Sequence, residues 1–180
     1  TDAAGNLYVQ VQYEQENYHR QAAILKVDST GAVQWCKTDN APAGEHGSIA
    51  VRGSTVALRT ATCLSAWTTS GTMNWIKEIE GGGDTFTTWA TEPVAFASDG
   101  NILTVRKNAD NTSGMVLKID VDDGSLIWSN TLTTNGGGFG AYLAPEAICG
   151  LSNGKIVMAF GAATQSTSAS FAVFTSAGTL

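Results

Sequence analysis

Acid–base or nucleophilic chemistry near neutral pH most often uses an imidazole, and this chain of 180 residues has two, His19 and His46. His19 falls in the polar stretch from Glu14 to Arg20 and His46 in the stretch from Ala41 to Gly47, each beside acids, so both read as solvated loop residues. Neither has a nucleophile at a motif spacing, and no Gly-x-Ser-x-Gly elbow occurs in a strand-turn-helix setting. The carboxylates are more suggestive. Asp120, Asp122 and Asp123 place three oxygen donors in one turn, a chemistry that suits calcium. The loop pattern of a helical calcium site is incomplete, because the closing glutamate is missing and the residues sit between strand-like runs. A plain turn is the expected reading, with a structural calcium ion as the alternative and no other cofactor implied. Two carboxylates spaced for glycoside cleavage would have to come from loops distant in sequence, and the pattern of the sixteen acids does not pair them.

Phosphate cradles are likewise excluded. Gly81-Gly82-Gly83 and Gly136-Gly137-Gly138 form two triplets, the second with Ala141 in a dinucleotide-like spacing, but Pro145 and the surrounding alternation leave no helix to receive a pyrophosphate. Gly154-Lys155 lacks the following Ser or Thr of a phosphate loop. The three cysteines, Cys36, Cys63 and Cys149, stand in dissimilar apolar settings and do not form a disulfide framework. They are expected to be unpaired and buried, small apolar side chains of a protein that folds in a reducing compartment.

The elements that would position such residues repeat. A glycine is followed four residues later by a tryptophan three times, at Gly31 and Trp35, Gly71 and Trp75, and Gly124 and Trp128; a fourth glycine, Gly178, arrives in step. The glycines are 40, 53 and 54 residues apart. Ahead of each glycine lies an apolar run ending in a short polar residue: Ala22 to Asp28, Cys63 to Thr68, Met115 to Asp120 and Phe171 to Thr175. Ahead of that lies a second run opened by Gly5-Asn6, Gly53-Ser54, Gly100-Asn101 or Gly154-Lys155, and a third at Ser48 to Val51, Val94 to Ala97 and Ala147 to Cys149. Short runs rich in β-branched and aromatic residues, joined by glycine turns, are strands of antiparallel hairpins. No segment sustains helical periodicity with capping signals. Four antiparallel strands per repeat of about 40–50 residues predict an all-β fold, a β-propeller of about four blades with the first and last incomplete. The units run approximately over 1–40, 47–80, 92–134 and 144–180.

The third unit reads Asp120-Val121-Asp122-Asp123-Gly124-Ser125-Leu126-Ile127-Trp128, and the first Asp28-Ser29-Thr30-Gly31-Ala32-Val33-Gln34-Trp35. This order resembles the repeat of the pyrroloquinoline-quinone-type propellers, in which an aspartate, a glycine turn and a tryptophan close each blade. The second unit departs from it with Thr68 for the aspartate, and the fourth keeps only Thr175 and Gly178. The resemblance implies that Trp35, Trp75 and Trp128, with Gly31, Gly71, Gly124 and Gly178, are blade-docking residues. It does not carry the quinone across, because those enzymes surround the cofactor with neighbouring cysteines and this chain has none adjacent. These residues are expected to be a segment of a longer polypeptide, the end blades being completed by further blades of the same chain or by a neighbouring subunit, since an unpaired sheet edge invites association.

Composition narrows the function. With a net charge of −6 and ten scattered basic residues, the chain is a poor partner for nucleic acid, which is held by clustered Lys and Arg. No apolar stretch reaches the ~18 residues of a membrane-spanning helix. A charged fraction of only 14% with plentiful Gly, Ala, Ser and Thr suits close-packed strands with neutral loops. The expectation is a non-enzymatic structural or adhesive propeller at a virion or extracellular surface, a tail-fibre module whose loops bind a protein or a glycan. A quinoprotein-like or glycosidase-type enzyme with active residues elsewhere, and a periplasmic scaffold of the bacterial envelope, are the alternatives.

Overall fold

The computed structural model describes residues 1–14, 20–42, 47–60, 62–79, 93–107, 113–133, 143–162 and 170–180. Its elements are all strands: β1 (Leu7–Glu14), β2 (Arg20–Val27), β3 (Val33–Pro42), β4 (Ser48–Arg52), β5 (Thr55–Arg59), β6 (Cys63–Thr68), β7 (Met73–Glu78), β8 (Val94–Phe96), β9 (Ile102–Lys107), β10 (Ser113–Ile119), β11 (Leu126–Thr133), β12 (Leu143–Gly150), β13 (Ile156–Ala162) and β14 (Ser170–Phe174). They pair only with their sequence neighbours, in four antiparallel meanders ordered β1-β2-β3, β4-β5-β6-β7, β8-β9-β10-β11 and β12-β13-β14. These are four consecutive blades of a β-propeller, the middle two with four strands and the outer two with three.

Glycine sets the tight end of every blade. The turns at Gly5, Gly31, Gly71, Gly100, Gly124, Gly154 and Gly178 hold the glycine at φ between 74 and 93°, a region that L side chains enter at a cost. In each, the glycine N–H returns to the carbonyl that opens the turn, as from Gly31 to Asp28 and from Gly178 to Thr175. The extra residue emerges as a bulge where the outermost strand begins, between Lys26 and Val27, Ala66 and Trp67, and Lys118 and Ile119. The bulges shift register at the same place in three blades, so the tryptophans stay in step: Trp35 opposes Lys26, Trp75 opposes Ala66 and Trp128 opposes Lys118.

Strand alternation gives each sheet two faces, and both faces of the middle sheets are covered. The trailing face of one blade packs on the leading face of the next, making three apolar seams. Tyr8, Ala22 and Ile24 of the first blade meet Val56, Leu58 and Trp67 of the second. Ala57, Leu64, Ala66 and Trp75 meet Ile102, Leu117 and Ile119. Leu103, Val105 and Val116 meet Ile156, Met158 and Phe174. Burying such side chains contributes about 1.5–3 kcal/mol each, so the seams are the core. Arg52 adds a polar tie between the second and third blades, its guanidinium donating to the carbonyls of Ala97 and Ser98.

The cysteines depart from expectation. All three are free thiols, but Cys36 and Cys149 are exposed and Cys63 is half-buried. Alternation explains the difference. Trp35 faces the first seam, so its neighbour Cys36 faces the leading side of the first blade, where no described sheet lies. Cys149 pairs with Val157, and this row is on the trailing side of the last blade; its neighbour Ile148 is the one that reaches the seam.

Candidate functional site

The recurring polar geometry lies in the outer turns and the indoles above them. Each outer turn is capped from within by a short oxygen side chain. The Asp28 carboxylate accepts from the backbone N–H of Thr30 and Ala32, at 2.9 and 3.0 Å, and from the Thr30 hydroxyl and Gln34 amide. Thr68 Oγ1 accepts from Thr72 N–H at 3.0 Å and Thr175 Oγ1 from Thr179 N–H at 3.1 Å. One acceptor oxygen at this position suffices, which is why Thr replaces Asp without loss of the turn. The third blade has a turn one residue longer and shares the capping between two carboxylates, with Asp120 accepting from Asp122 N–H and Asp123 from Ser125 N–H, both at 2.8 Å. The candidate calcium ligands Asp120, Asp122 and Asp123 therefore form a hydrogen-bonded turn, and no group of three metal-ligating side chains converges among the described residues. The Thr30 hydroxyl holds the Asp28 carboxyl below the usual carboxylate range, and the Ser125 side chain does the same for Asp123.

Each indole crosses a seam to the turn of the following blade. Trp35 Nε1 donates to the Thr69 carbonyl at 3.3 Å, Trp75 Nε1 to Val121 at 2.9 Å and Trp128 Nε1 to Ser176 at 3.1 Å. In every case the acceptor directly follows the capping residue. The ring then lies flush on the turn glycine. A β-carbon would stand 3.1 Å from Trp35 at Gly71, 2.8 Å from Trp75 at Gly124 and 2.8 Å from Trp128 at Gly178. These glycines serve two demands at once, a positive φ and the close approach of a ring.

Charged groups reinforce the first and third seams. Lys26 Nζ reaches the Thr69 carbonyl at 3.0 Å and lies 5.5 Å from the centre of the Tyr8 ring, a cation–π distance. Tyr8 meets Trp35 edge to face at 5.9 Å and donates its hydroxyl to Asp2 at 2.9 Å. Burial pushes the Tyr8 phenol up to about 12, and the Asp2 carboxylate adds to the shift. The Asn6 side chain, with further hydrogen bonds from the Asn6 and Ala4 backbone and from Tyr8, holds Asp2 at about 2 against a smaller opposing effect of desolvation. Lys118 occupies the equivalent of Lys26, donating to the Ser176 carbonyl at 3.3 Å and pairing with Asp99 at 2.7 Å. Desolvation acts to raise the Asp99 carboxyl, but Lys118 and Asn101 outweigh it and the net shift is downward. The second seam has Ala66 at this position, and its cations come from other positions: Arg52 on the Ala97 and Ser98 carbonyls and Lys77 near Asp123.

The structure thus brings Trp35, Trp75, Trp128, Gly71, Gly124 and Gly178 into three seats of one design. Gly31 has the same turn with no indole on it among the described residues. His19, His46 and the glycine triplets 81–83 and 136–138 lie outside the described residues. Tyr8, Lys26, Asp99, Lys118 and the carbonyls of Thr69, Val121 and Ser176 were not singled out by sequence. The lysines carried a signal, a charge at the same place in two otherwise apolar runs, whereas backbone acceptors carry none.

No protein-family model matches the chain, and no match emerges among curated proteins. Solved structures do match. A protein of unknown function from Bacteroides caccae superposes with a TM-score of 0.59 at 12% identity, covering 96% of this chain and 54% of its own. An exo-β-1,3-galactanase from Clostridium thermocellum superposes with a TM-score of 0.54 at 13% identity, covering 97% of this chain and 44% of its own. A protein from Lactobacillus plantarum gives a TM-score of 0.53 at 14% identity, with 96% and 54% covered. At these identities the likeness is one of fold, and the chain spans about half the length of the structures it matches.

Proposed function

We propose that the chain is a non-enzymatic propeller module that binds a protein or a glycan through loops at one end of its blades, as part of a virion tail fibre or comparable surface assembly. One observation carries this reading: the segregation of connections. Because the strands run up and down, every glycine turn lies at one end of the sheets, while the connections 15–19, 43–46, 80–92, 108–112, 134–142 and 163–169 join strand ends at the other, and 80–92, 134–142 and 163–169 are each longer than any glycine turn. Variable loops on a rigid scaffold are where recognition is usually placed. The use of the charged groups also supports it. Asp2, Asp28, Asp99, Asp120, Asp123 and Lys118 are engaged in turns and seams at the tight end, where they hold the blades together. The quinoprotein-like, glycosidase-type and envelope-scaffold readings share the scaffold and differ in what those loops present.

The test is a panel of immobilised glycans and soluble β-1,3-galactan, assayed for binding and for release of reducing sugar. Saturable binding without turnover, lost when 108–112 and 163–169 are replaced by Gly-Ser linkers of equal length, is the expected result. Sugar release by the purified chain, or binding indifferent to both loop replacements, would overturn the proposal.

A further inference from the structure

The geometry points to a fourth, open seat: the leading face of the first blade, with the Ser29 carbonyl and Gly31 at its rim, receives an additional β-sheet that presents a tryptophan from its outermost strand. Three occupied seats define what the empty one takes. Leu7 and Val27 pair as Val56 and Trp67, Ile102 and Ile119, and Ile156 and Phe174 do in the later blades. Val56, Ile102 and Ile156 are at most 1% exposed beneath the preceding blade, whereas Leu7 is 46% exposed. Val27 is half-buried where Trp67, Ile119 and Phe174 are buried. Gly31 has the same turn hydrogen bond to Asp28 and a φ of 89°, yet no described atom lies within 4 Å of its β-carbon position. At Gly71, Gly124 and Gly178 that space is filled by an indole. Ser29 directly follows the capping residue Asp28, as Thr69, Val121 and Ser176 follow theirs, so its carbonyl is the equivalent acceptor for an indole N–H.

Among the described residues, a second copy has no tryptophan free to be the occupant. Trp35, Trp75 and Trp128 already sit on the three later glycines, and Trp67 is buried in the first seam with its Nε1 on Ser65 Oγ at 2.9 Å. The trailing face of the last blade carries Val157, Val173 and Phe171 and offers no described indole. A tryptophan-bearing blade beyond these residues is also what the length comparison favours, since the matched structures are about twice as long.

The register within the chain supplies a probe. Ala97 opens its inner turn as Asp2 does, with the glycine N–H returned to its carbonyl in both. A copy of residues 47–95 placed directly ahead of Thr1 therefore presents a Trp75-bearing sheet and an inner strand in phase with β1. Two readouts follow. In a Leu7→Cys variant, alkylation of the new thiol, whose counterparts Val56, Ile102 and Ile156 are at most 1% exposed, should slow at least tenfold in the extended chain. Gly31→Ala should shift the urea midpoint at least twice as far in the extended chain as in the 180-residue chain, and the excess should vanish when the appended tryptophan is changed to alanine. A second extension, residues 92–149 with Trp128, which is in phase because Leu151 opens its inner turn as Ala97 and Asp2 do, guards against an appended sheet that fails to fold. Unchanged alkylation at position 7 in both extensions, or an equal Gly31→Ala shift with and without them, would overturn the seat. Protection of the position-7 thiol that rises with concentration of the 180-residue chain alone would overturn the choice of partner in favour of a second copy.

Discussion

Changing each outer-turn glycine to alanine, one at a time, separates the backbone requirement from the seat. All four glycines lie at positive φ, between 74 and 90°, so each substitution carries a conformational cost of about 1 kcal/mol. At Gly31 nothing further is met. At Gly71 the new methyl stands 3.1 Å from Trp35, and the ring must give by a few tenths of an ångström. At Gly124 and Gly178 the distance is 2.8 Å, so Trp75 and Trp128 are displaced from their seats and their N–H bonds to Val121 and Ser176 are strained or lost. Overpacking costs about 1–3 kcal/mol and a lost hydrogen bond about 1 kcal/mol. The expected order of destabilisation is Gly31→Ala, then Gly71→Ala, then Gly124→Ala and Gly178→Ala, spanning about 1 to about 4 kcal/mol. With a urea dependence of about 2 kcal/mol per molar, the midpoint falls by about 0.5 M at Gly31 and about 1–2 M at Gly124. Equilibrium unfolding of the 180-residue chain followed by circular dichroism reads these shifts. Four equal shifts, or the largest at Gly31, would refute the idea that a ring occupies the later three positions.

Three other outcomes are expected. Asp2, Asp28, Asp99 and Asp123 have folded-state pKa values below the ordinary aspartate value of about 3.9, so the unfolded chain binds more protons as pH falls. Their contribution is fully present above about pH 4 and is lost toward pH 2, where Asp2 titrates; urea midpoints measured from pH 6 to pH 2 should fall within that window, and by less in an Asp2→Asn variant. Absorbance titration near 295 nm should resolve one tyrosine ionising near 12 and absent in Tyr8→Phe; the neutral phenol is favoured in the fold, so its contribution is present below about pH 10 and is lost as pH rises toward 12. An aromatic-disulfide thiol reagent should label Cys36 and Cys149 in the native chain within minutes and Cys63 more slowly, and mass spectrometry of the adducts checks the order.

Much of the fold was readable because its determinants are local. A glycine at fixed distance from a tryptophan marks a turn and the strand after it, and the same spacing returns at Gly31, Gly71 and Gly124. The capping residue was readable for the same reason: Asp28 and Thr68 act on N–H groups two or four residues away. The triple acid at Asp120, Asp122 and Asp123 was ambiguous, since carboxylates that cap a turn and carboxylates that hold calcium share one composition. The cysteine expectation failed because alternation tells which residues share a face without telling whether the face is covered. Cys36 and Trp35 differ by one position, and only the packing of blade on blade distinguishes them. The indole acceptors were illegible, because a backbone carbonyl at Thr69, Val121 or Ser176 leaves no mark in residue type. The cations were half legible. Lys118 inside an apolar strand announces a partner, but Asp99 lies on a different hairpin and nothing local pairs them.

The central claim, that each blade is seated on the next by a tryptophan lying on a turn glycine, is tested most directly by double-mutant cycles across the seams. In Trp75→Ala with Gly124→Ala the new methyl meets the space left by the ring, so the double variant should be less destabilised than the sum of the singles by about 1–2 kcal/mol. The same coupling is expected for Trp35 with Gly71 and for Trp128 with Gly178. The mismatched pair, Trp128 with Gly71, should be additive to within about 0.5 kcal/mol. Additivity in the three matched pairs, or equal coupling in the mismatched one, would contradict the seating of blade upon blade.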